Sequence, residues 1–348
     1  MEEKKYYFRG ADISFVPMYR KKGFVFKDVD NKEKDALLIL KDHGCNTIRL
    51  RLWHTPGNVK ESGGYCDLKQ TISFARDIKR LGLTFILDFH YSDFWADPEH
   101  QKKPKAWENV SGDALCKMVY QYTLEVLSIM KREDVLPDMV QIGNEITNGF
   151  LFPDGKLPDY KGMASLINAG LSAVEDLEGD NSIKTIIHLD QGGKYNILSN
   201  WMDNSLKSGI NDFDILGLSY YPYLHGSFDE LSDTLKKLVD SYKKPVFIAE
   251  TAYPWRLCKN GFIGQEEIDI VGIKASSKGQ RQLLEKVDEI ASSVPNNMCY
   301  GWLYWEPACI PQMEQGGWES NMGIFDESGK VMEAVNVFNT KCGLRDFR

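Results

Sequence analysis

The sequence alternates eight times between a short apolar run and a longer stretch with helical periodicity. β-Branched and aromatic residues, which favour strands, dominate the short runs. The runs are FRGADIS from Phe8, CNTIRLRLW from Cys45, TFILDFH from Thr84, MVQIGNE from Met139, KTIIHLD from Lys184, DILGLSYY from Asp214, PVFIAE from Pro245 and YGWLYWEP from Tyr300. Strands that alternate with helices predict parallel pairing through right-handed crossovers.

The stretches between these runs predict helices. Two early ones end at Gly44 and Gly82, each placed as a C-terminal cap before the next strand. The later ones cover about residues 113–132, 163–177, 228–242, 278–291 and 331–338.

Eight such units predict an α/β fold, a (β/α)8 TIM barrel, rather than an open doubly wound sheet. No glycine-rich phosphate loop follows the first strand, and no low-complexity linker divides the chain. We therefore predict a single domain over residues 1–348.

The charge and hydropathy of the sequence argue against nucleic acid and membranes as partners. The net charge is -8, the pI is about 5.4, and the basic residues are scattered, which argues against nucleic acid. No apolar run approaches a bilayer span, and the N-terminus lacks the apolar middle of a signal peptide. We expect a soluble monomer with no membrane partner.

The seven cysteines are odd in number and show no CxxC and no paired spacing. They predict neither a zinc site nor a disulfide framework, and we expect no metal and no cofactor. Cysteines in apolar runs favour a reducing compartment. The prediction is a cytoplasmic protein if Met1 is the native start, and a secreted one if a leader preceded it.

Polar or aromatic residues end nearly every predicted strand. Side chains at the carboxyl ends of barrel strands converge on one mouth, where such folds do their chemistry. Because burying unpaired charge is costly, this placement indicates a site. The residues are Asp12, Arg49, Arg51, Asp88, His90, Asn144, Glu145, His188, Asp190, Tyr220, Tyr221, Glu250, Trp305 and Glu306.

Two carboxylates stand out in this set, Glu145 at the end of the fourth run and Glu250 at the end of the seventh. Taken alone, the Asn144–Glu145 pair fits a helix N-terminus equally well, since asparagine caps helices and an acid suits the helix dipole. Two acids that face each other across a barrel mouth are the minimal equipment for glycosidic bond cleavage. Their separation decides between retention and inversion.

Many tryptophans and tyrosines fall at or just after strand ends. Trp95, Trp255 and Trp305 are among them. Any one of these is explained by packing, but their clustering in the loops of one face indicates a carbohydrate groove. Sugar C–H faces lie well on aromatic rings, while sugar hydroxyls need polar partners such as His90, Asp93 and Asn144.

Other polar residues have structural explanations too. Arg49 and Arg51 alternate with leucine on the second run. We expect one to point into the barrel and the other outward or into a structural ion pair, and we assign Arg49 to the site. His188 is explained equally well by a hydrogen bond to a neighbouring loop. Glu306, in WEP, is assigned to holding its loop.

Five stretches, in order along the chain, resemble glycoside hydrolase family 53, the endo-β-1,4-galactanases or arabinogalactan endo-β-1,4-galactosidases. They are HYSDFWADPEHQKKPKAW from His90, VQIGNEITNG from Val140, GLSYYPYLHG from Gly217, AETAYPW from Ala249 and GWLYWEP from Gly301. The similarity runs from FRGADIS to NMGIFD near Asp326, almost the whole chain. Several motifs in order are far more specific than one Asn-Glu pair.

The resemblance implies a clan A barrel that cleaves β-1,4-galactosidic bonds in galactan or arabinogalactan with retention. Glu145 matches the family's acid/base, and Glu250 matches its nucleophile. The pKa of Glu145 should be raised by partial desolvation or a nearby negative charge, whereas Glu250 should be ionised.

The same resemblance implies supporting roles around the scissile bond. Arg49 and Tyr221 match positions that hydrogen-bond the nucleophile in related barrels. Asn144 would hold the sugar 2-hydroxyl, a contact expected to tighten in the transition state. His90 and Trp305 match positions that form the floor of the sugar site.

Three departures from the family pattern limit what the resemblance implies about substrate. Family members show tryptophan in LWP, FWHG and PAW, where this chain has Phe152, Leu224 and Cys309. Sugar contacts away from the scissile bond, and with them chain-length preference or the polymer itself, are expected to differ. The calcium site of some bacterial members has no clear counterpart in RLCKNGFIGQEEIDIV.

Three alternatives stay open. A clan A hydrolase acting on another β-linked glycan keeps the mechanism but changes the substrate. A barrel that only binds carbohydrate is disfavoured because both glutamate positions are intact. A sugar-phosphate isomerase or aldolase is disfavoured because no glycine-rich phosphate cup follows the late strands and no lysine stands at a strand end.

Overall fold

The computed structural model describes residues 7–178, 183–259, 261–311, 318 and 321–339. Eight parallel strands close into a barrel, with helices between them. The (β/α)8 TIM barrel predicted from the alternation of apolar runs and helical stretches is therefore confirmed.

Each predicted apolar run contains one barrel strand. The strands are β1 (Phe8–Asp12), β2 (Thr47–Leu52), β3 (Thr84–Phe89), β4 (Met139–Ile142), β7 (Lys184–Leu189), β8 (Ile215–Ser219), β9 (Val246–Thr251) and β10 (Cys299–Trp305). Their order around the barrel is β1, β10, β9, β8, β7, β4, β3, β2. After β4, the short strands β5 (Gly149–Phe150) and β6 (Gly155–Lys156) form an antiparallel hairpin.

The described residues form six helices where the periodicity predicted them and four more where it did not. They are α1 (Val16–Lys21), α2 (Ala36–Asp42), α3 (Leu68–Arg80), α4 (Gly112–Arg132), α5 (Tyr160–Glu178), α6 (Tyr195–Lys207), α7 (Pro222–His225), α8 (Phe228–Tyr242), α9 (Gln265–Val271) and α10 (Ser277–Ser292). Gly44 and Gly82 take positive φ angles after α2 and α3, as expected of C-terminal caps. The helix expected near residues 331–338 is instead a 3₁₀ segment, Glu333–Asn339, so that prediction is wrong in type.

Local signals in the sequence explain where α3 and α8 start. The side chain of Asp67 accepts a 2.7 Å hydrogen bond from the amide of Gln70 and so begins α3. Ser227 and Glu230 form a capping box at the start of α8. These caps satisfy amide groups that have no partner within the helix.

The chain forms two compact units. The first unit comprises the described parts of Met1–Ile48, Gln191–Tyr195 and Ser219–Arg348, and the second comprises those of Arg49–Asp190 and Asn196–Leu218. The single domain expected from the sequence stays a prediction.

A buried ion pair lies in the first unit. Arg9 on β1 donates through Nε and Nη2 to the two carboxylate oxygens of Asp288 on α10, at 2.9 and 3.1 Å. The indole of Trp302 and the hydroxyl of Tyr7 donate to Oδ1 of the same carboxylate. Asp288 therefore joins a helix to two strands, β1 and β10.

In the second unit, strand register places polar side chains next to one another. β3 and β4 pair in parallel so that Asp88 lies beside Gln141. Gly143, just after β4, has a φ of 79°, and a side chain there would press on Ile146 and Phe150. The glycine of the GNE motif thus lets the chain turn sharply into Asn144 and Glu145.

A helix that spans a membrane must be both long and apolar. No helix within residues 7–178, 183–259, 261–311 and 321–339 meets both requirements. In that part of the chain, the longest helix is α4, whose 21 residues include several charged side chains.

Candidate active site

Four residues other than glycine take the left-handed backbone conformation just after barrel strands. Tyr91 follows β3, Glu145 follows β4, Gln191 follows β7 and Glu306 follows β10, with φ angles of 48°, 48°, 69° and 52°. Such conformations are uncommon for these residue types and cluster at functional sites. These four residues lie where the sequence predicted site residues, although Asn31, Asp134, Lys243 and other described residues take the same conformation elsewhere.

Gln141 is the centre of a buried hydrogen-bond network in the second unit. Its side-chain nitrogen donates to Oδ1 of Asp88 at 2.6 Å, and its oxygen accepts from Nη1 of Arg49 at 3.1 Å. The same nitrogen lies 3.2 Å from Oδ1 of Asn144 and 3.1 Å from Nδ1 of His188. Four of the polar residues at predicted strand ends thus meet on one amide.

Sequence reasoning did not select Gln141. Its only signal is a polar residue inside the apolar run MVQIGNE, four positions before Glu145. A buried polar group in a strand interior needs a full set of partners, and this one has them. The network explains why a glutamine occupies a core position.

Both the main chain and the side chain of Asn144 form hydrogen bonds with neighbouring residues. Its carbonyl accepts a 2.7 Å hydrogen bond from Gln101, and its side-chain nitrogen donates to the carbonyl of Ala96 at 2.8 Å. Asn144 is not the N-cap that the alternative interpretation required, because a 3₁₀ turn, Ile146–Asn148, begins after Glu145 without a side-chain cap. Glu145 itself is partly exposed.

His90 is fixed in orientation and tautomer. The amide of Ala96 and the indole of Trp53 both point at its Nδ1, at 3.1 and 3.4 Å. Since two N–H groups face Nδ1, this nitrogen accepts, and the ring proton of the neutral imidazole lies on Nε2. Nε2 is 3.2 Å from Oδ2 of Asp88.

Both arginines of β2 are buried, each with 1 % of its surface exposed. Residues two apart on a strand share a face, so Arg49 and Arg51 lie on the same side of β2. Arg49 reaches Gln141, whereas the guanidinium of Arg51 lies 4.3 Å from the ring centre of Trp95. The expectation that one of them points outward is therefore wrong, and its alternative, a structural ion pair, stays a prediction.

Trp95 and Asp93 lie in the loop after β3. Trp95 is partly exposed and packs edge-on against Trp53, with 5.2 Å between ring centres. Asp93 is buried and accepts hydrogen bonds from the amides of Thr55 and Lys105. Asp93 thus joins two neighbouring loops, and its role as a sugar contact stays a prediction.

In the first unit, Glu250 is 5 % exposed and lies within β9. The hydroxyl of Tyr221 donates to Oε2 of Glu250 at 3.0 Å. The amide of Tyr220 donates to the Glu250 carbonyl at 2.8 Å and fixes the backbone next to it. A donor aimed at a buried carboxylate favours its charged form.

Aromatic rings surround Tyr221. Its ring is edge-on to Trp318, 5.8 Å between centres, and Trp318 is edge-on to Trp305 at 4.3 Å. Trp318 also packs against Phe262, which is more than half exposed. This aromatic cluster, Tyr221, Trp305, Trp318 and Phe262, leads from the nucleophile candidate to the protein surface.

Trp255 lies beyond β9, two residues after Tyr253. Its amide donates to the carbonyl of Asn321, and the guanidinium of Arg256 lies 4.5 Å from its ring centre. The ring is partly exposed, as a sugar platform requires, but this contact with substrate stays a prediction.

The sequence model of glycosyl hydrolase family 53 matches residues 8–338. The chain belongs to glycosyl hydrolase family 53. It is therefore a glycoside hydrolase, and the resemblance found in the sequence motifs is confirmed. The match spans all eight barrel strands and continues into the 3₁₀ segment as far as Phe338, so the fold of the family is present over this range.

Individual relatives align with this chain over nearly the full length. A protein of Niallia circulans described as "Uncharacterized protein in bgaB 5'region" is 39 % identical, covering 97 % of this chain and 94 % of its own. The arabinogalactan endo-β-1,4-galactanase of Humicola insolens is 33 % identical, covering 95 % and 98 %. The solved catalytic domain from Ignisphaera aggregans superposes with a TM-score of 0.90 at 36 % identity, covering 98 % and 97 %.

The three positions that depart from the family 53 motifs differ in their surroundings. The ring of Phe152 lies 4.9 Å from Nζ of Lys156, and Leu224 on α7 is 54 % exposed. Cys309 is buried, and its thiol lies 3.9 Å from Oε2 of Glu306. Leu224 is thus an open surface position, whereas Cys309 is part of the packed loop after β10.

A metal site needs several ligating side chains that converge on one point. Within the described ranges, 7–178, 183–259, 261–311, 318 and 321–339, no group of three or more His, Cys, Asp or Glu side chains is arranged to hold a metal ion. Six cysteines lie in these ranges, and each is a free thiol. Cys342 lies outside the described residues.

Proposed function

We propose that this family 53 enzyme is a retaining endo-β-1,4-galactanase that acts on galactan or arabinogalactan. The family match over residues 8–338 carries the proposal. The name of the Humicola relative states this activity, and that relative aligns over 98 % of its length. The proposed substrate is therefore a β-1,4-linked galactose polymer or its oligosaccharides.

Glu145 is the proposed general acid and base. It follows a rigid strand in a left-handed conformation and is partly exposed, so that substrate and water reach it. Its neighbour Asn144 is held by Gln101 and Ala96 and is the proposed partner of the sugar 2-hydroxyl. His90 and Trp305 are the proposed floor of the sugar site.

Glu250 is the proposed nucleophile. Its burial and the hydrogen bond from Tyr221 suit a carboxylate that starts the cycle ionised. Arg49 is proposed to add positive charge to the site, and its guanidinium is oriented by Gln141. Trp95, Trp255 and Asp93 are proposed sugar contacts further from the bond that breaks.

The proposed reaction is a double displacement. Glu145 gives its proton to the glycosidic oxygen while an oxygen of Glu250 attacks C1, so the C1–O bond breaks and a covalent galactosyl ester forms. Glu145, now a carboxylate, removes a proton from water, whose oxygen attacks C1 and releases Glu250. Two inversions at C1 give net retention.

The experiment is to follow linear galactan hydrolysis by proton NMR, with the unmodified protein, Glu145→Ala and Glu250→Ala. A product that first appears as the β-anomer supports retention, whereas a first α-anomer contradicts it. Glu61→Ala, at an exposed position of the 3₁₀ turn Lys60–Ser62, serves as a control with normal turnover. Full activity of Glu250→Ala would remove the proposed nucleophile.

Azide then separates the two roles on an aryl β-galacto-oligosaccharide. In Glu250→Ala, azide occupies the missing nucleophile's place and should give the α-galactosyl azide. In Glu145→Ala, the ester still forms with a good leaving group, and azide should give the β-azide. The opposite pattern would exchange the two assignments.

A second candidate is a family 53 hydrolase with another β-linked substrate or chain-length preference. Phe152, Leu224 and Cys309 favour it, since three expected tryptophan platforms are replaced. Turnover of another β-glycan without turnover of galactan would support this candidate. Binding of galactan without cleavage would instead support the non-catalytic carbohydrate-binding barrel.

We also propose a monomer in a reducing compartment. The free thiols among the described cysteines fit this proposal. Light scattering of the purified protein tests the monomer, and galactanase activity in cell extract compared with medium tests whether the protein is cytoplasmic or secreted.

A further inference from the structure

The side-chain amide of Asn144 has only one possible orientation. One of its two terminal atoms lies 2.8 Å from the carbonyl oxygen of Ala96. A carbonyl oxygen only accepts hydrogen bonds, so this atom must be the nitrogen, and the amide oxygen faces the other way. The oxygen then lies 2.9 Å from Nδ1 of His188.

The amide of Gln141 is fixed in the same manner. Nη1 of Arg49, which only donates, lies 3.1 Å from one terminal atom, which must be the oxygen. The carboxylate of Asp88 accepts from the other terminal atom, the nitrogen, at 2.6 Å. Gln141 therefore has one remaining N–H for its other neighbours.

These two amides decide the proton position on His188. If Nδ1 carried no proton, it could accept from the Gln141 nitrogen at 3.1 Å, but its lone pair would also face the nearer Asn144 oxygen at 2.9 Å, an unfavourable contact between two acceptors in a buried site. With a proton on Nδ1, His188 donates to that oxygen. The remaining N–H of Gln141 then bonds to the carbonyl of Gly143 at 3.1 Å or to the Asn144 oxygen at 3.2 Å.

We propose that His188 is a positioning residue of the active site, whose Nδ1–H holds the Asn144 amide in the orientation that recognises the sugar 2-hydroxyl. One amide hydrogen of Asn144 is used on Ala96, and the other is kept for substrate. This inference rests on the proposed galactanase function.

Holding the amide before substrate arrives matters because the 2-hydroxyl contact strengthens in the transition state. A donor that is already oriented needs no reorganisation when charge develops. Because imidazole and imidazolium both carry Nδ1–H in this arrangement, the orientation of Asn144 should not change as His188 titrates. His188 acts through Asn144 and needs no contact with sugar.

The test compares His188→Asn with His188→Leu. Asparagine places its side-chain N–H close to where Nδ1–H stood, whereas leucine has a similar bulk and no donor. The substrates are an aryl β-galactotrioside and the same compound lacking the 2-hydroxyl on the sugar whose bond breaks. Thermal melting of both variants shows that each is folded.

We expect His188→Leu to lower kcat/KM about tenfold on the hydroxylated substrate, the effect of one lost hydrogen bond. The kcat/KM of His188→Asn should stay within about threefold of that of the unmodified protein, because the asparagine N–H replaces the lost donor. On the 2-deoxy substrate, the two variants should differ little. Equal losses on both substrates, or a His188→Asn as poor as His188→Leu, would overturn the positioning role.

A second measurement does not depend on turnover. Long-range proton–nitrogen NMR of the unmodified, nitrogen-15-labelled protein reports which imidazole nitrogen of His188 carries the proton. A protonated Nδ1 supports the inference, and a neutral ring protonated only on Nε2 contradicts it. An unmodified protein that leaves galactan and the galactotrioside intact would remove the proposed function, while the NMR result still decides the tautomer.

Discussion

The hydroxyl of Tyr221 donates a 3.0 Å hydrogen bond to Oε2 of Glu250. The two residues are also tied through the backbone, because the amide of Tyr220 donates to the Glu250 carbonyl. The ring of Tyr221 is held by Trp318. The donor is therefore already placed on the carboxylate before any sugar binds.

We expect Tyr221→Phe to lower kcat/KM about 10- to 100-fold, because a hydrogen bond to a charged group contributes about 1.5–3 kcal/mol. Without the donor, the ionised form of Glu250 is less stable, so activity should begin to fall at a higher pH on the acidic side. The measurement is kcat/KM on an aryl galacto-oligosaccharide across the pH range.

Tyr220→Phe is the matched control for this variant. The hydroxyl of Tyr220 donates to the backbone carbonyl of Gly226 at 3.0 Å rather than to a carboxylate. Its loss should cost only about 1 kcal/mol of unfolding free energy and leave the pH profile in place. Equal effects of the two variants on activity would mean that the Tyr221 hydroxyl does not act on Glu250.

The fold followed from periodicity because each strand and helix carries its pattern locally. The stretch YNILSNWMDNSLK was nevertheless not predicted as helix, although it forms α6. Leu198, Trp201, Met202 and Ser205 are buried at helical spacing, but the asparagines, serines and aspartate between them are poor helix formers. Packing of the apolar face therefore stabilises α6, although the intrinsic helix propensity of its sequence is low.

The sequence predicted the site residues that lie at the ends of strands. It did not predict the residues whose role depends on contacts with neighbouring strands. Glu145 and Glu250 stood out because a carboxylate after an apolar run is unusual. Gln141 did not, since its importance lies in partners from other strands, such as Arg49 and Asp88. The face of Arg51 was misjudged because alternation with leucine was applied without the rule that residues two apart share a side.

Removing the carboxylate of Asp288 should strongly destabilise the protein. Asp288→Leu leaves the guanidinium of Arg9 buried without its bidentate partner, and such losses cost about 3–5 kcal/mol. Urea unfolding gives the change in unfolding free energy.

Asp233→Ala is the control, since the pair of Asp233 with Lys237 is exposed and should contribute less than about 1 kcal/mol. The double variant Arg9→Met with Asp288→Leu should recover part of the loss, because no charge is then buried alone. A loss in Asp288→Leu no larger than in the control would show that the buried pair does not contribute.

The free energy of unfolding should decrease at acidic pH because His54 becomes protonated. Burial lowers the pKa of His54 from 6.5. The negative charges of Asp93 and Glu125 raise this pKa, but by less than burial lowers it. The unfolded chain then binds a proton near pH 6.5 that the folded chain accepts only at lower pH. The contribution of His54 to stability is thus complete above pH 6.5 and is lost as the pH falls towards its folded pKa.

The measurement is the unfolding free energy at pH 7.5 and at pH 5.5 for the unmodified protein and for His54→Phe. The phenylalanine keeps the ring packing against Trp107 and Tyr122 but cannot titrate. The unmodified protein should lose more free energy between the two pH values, by up to about 1.4 kcal/mol for each unit by which the pKa is lowered. Identical losses in the two proteins would contradict this assignment.

Leu224→Trp should improve the use of long substrates. Leu224 is 54 % exposed on α7, at the position where family 53 motifs carry tryptophan, so the larger ring fits without displacing the core. One added aromatic contact is worth about 0.5–1.5 kcal/mol, which corresponds to about two- to thirteenfold in kcat/KM. Because the contact lies away from the scissile bond, the gain should appear with longer galacto-oligosaccharides and be absent with the shortest one cleaved.

Chromatography of the products from a series of oligosaccharides measures this gain in kcat/KM. The control is Ile197→Trp, at a 45 % exposed position on α6. An equal gain at every chain length, or the same gain in the control, would show that position 224 does not contact the polymer.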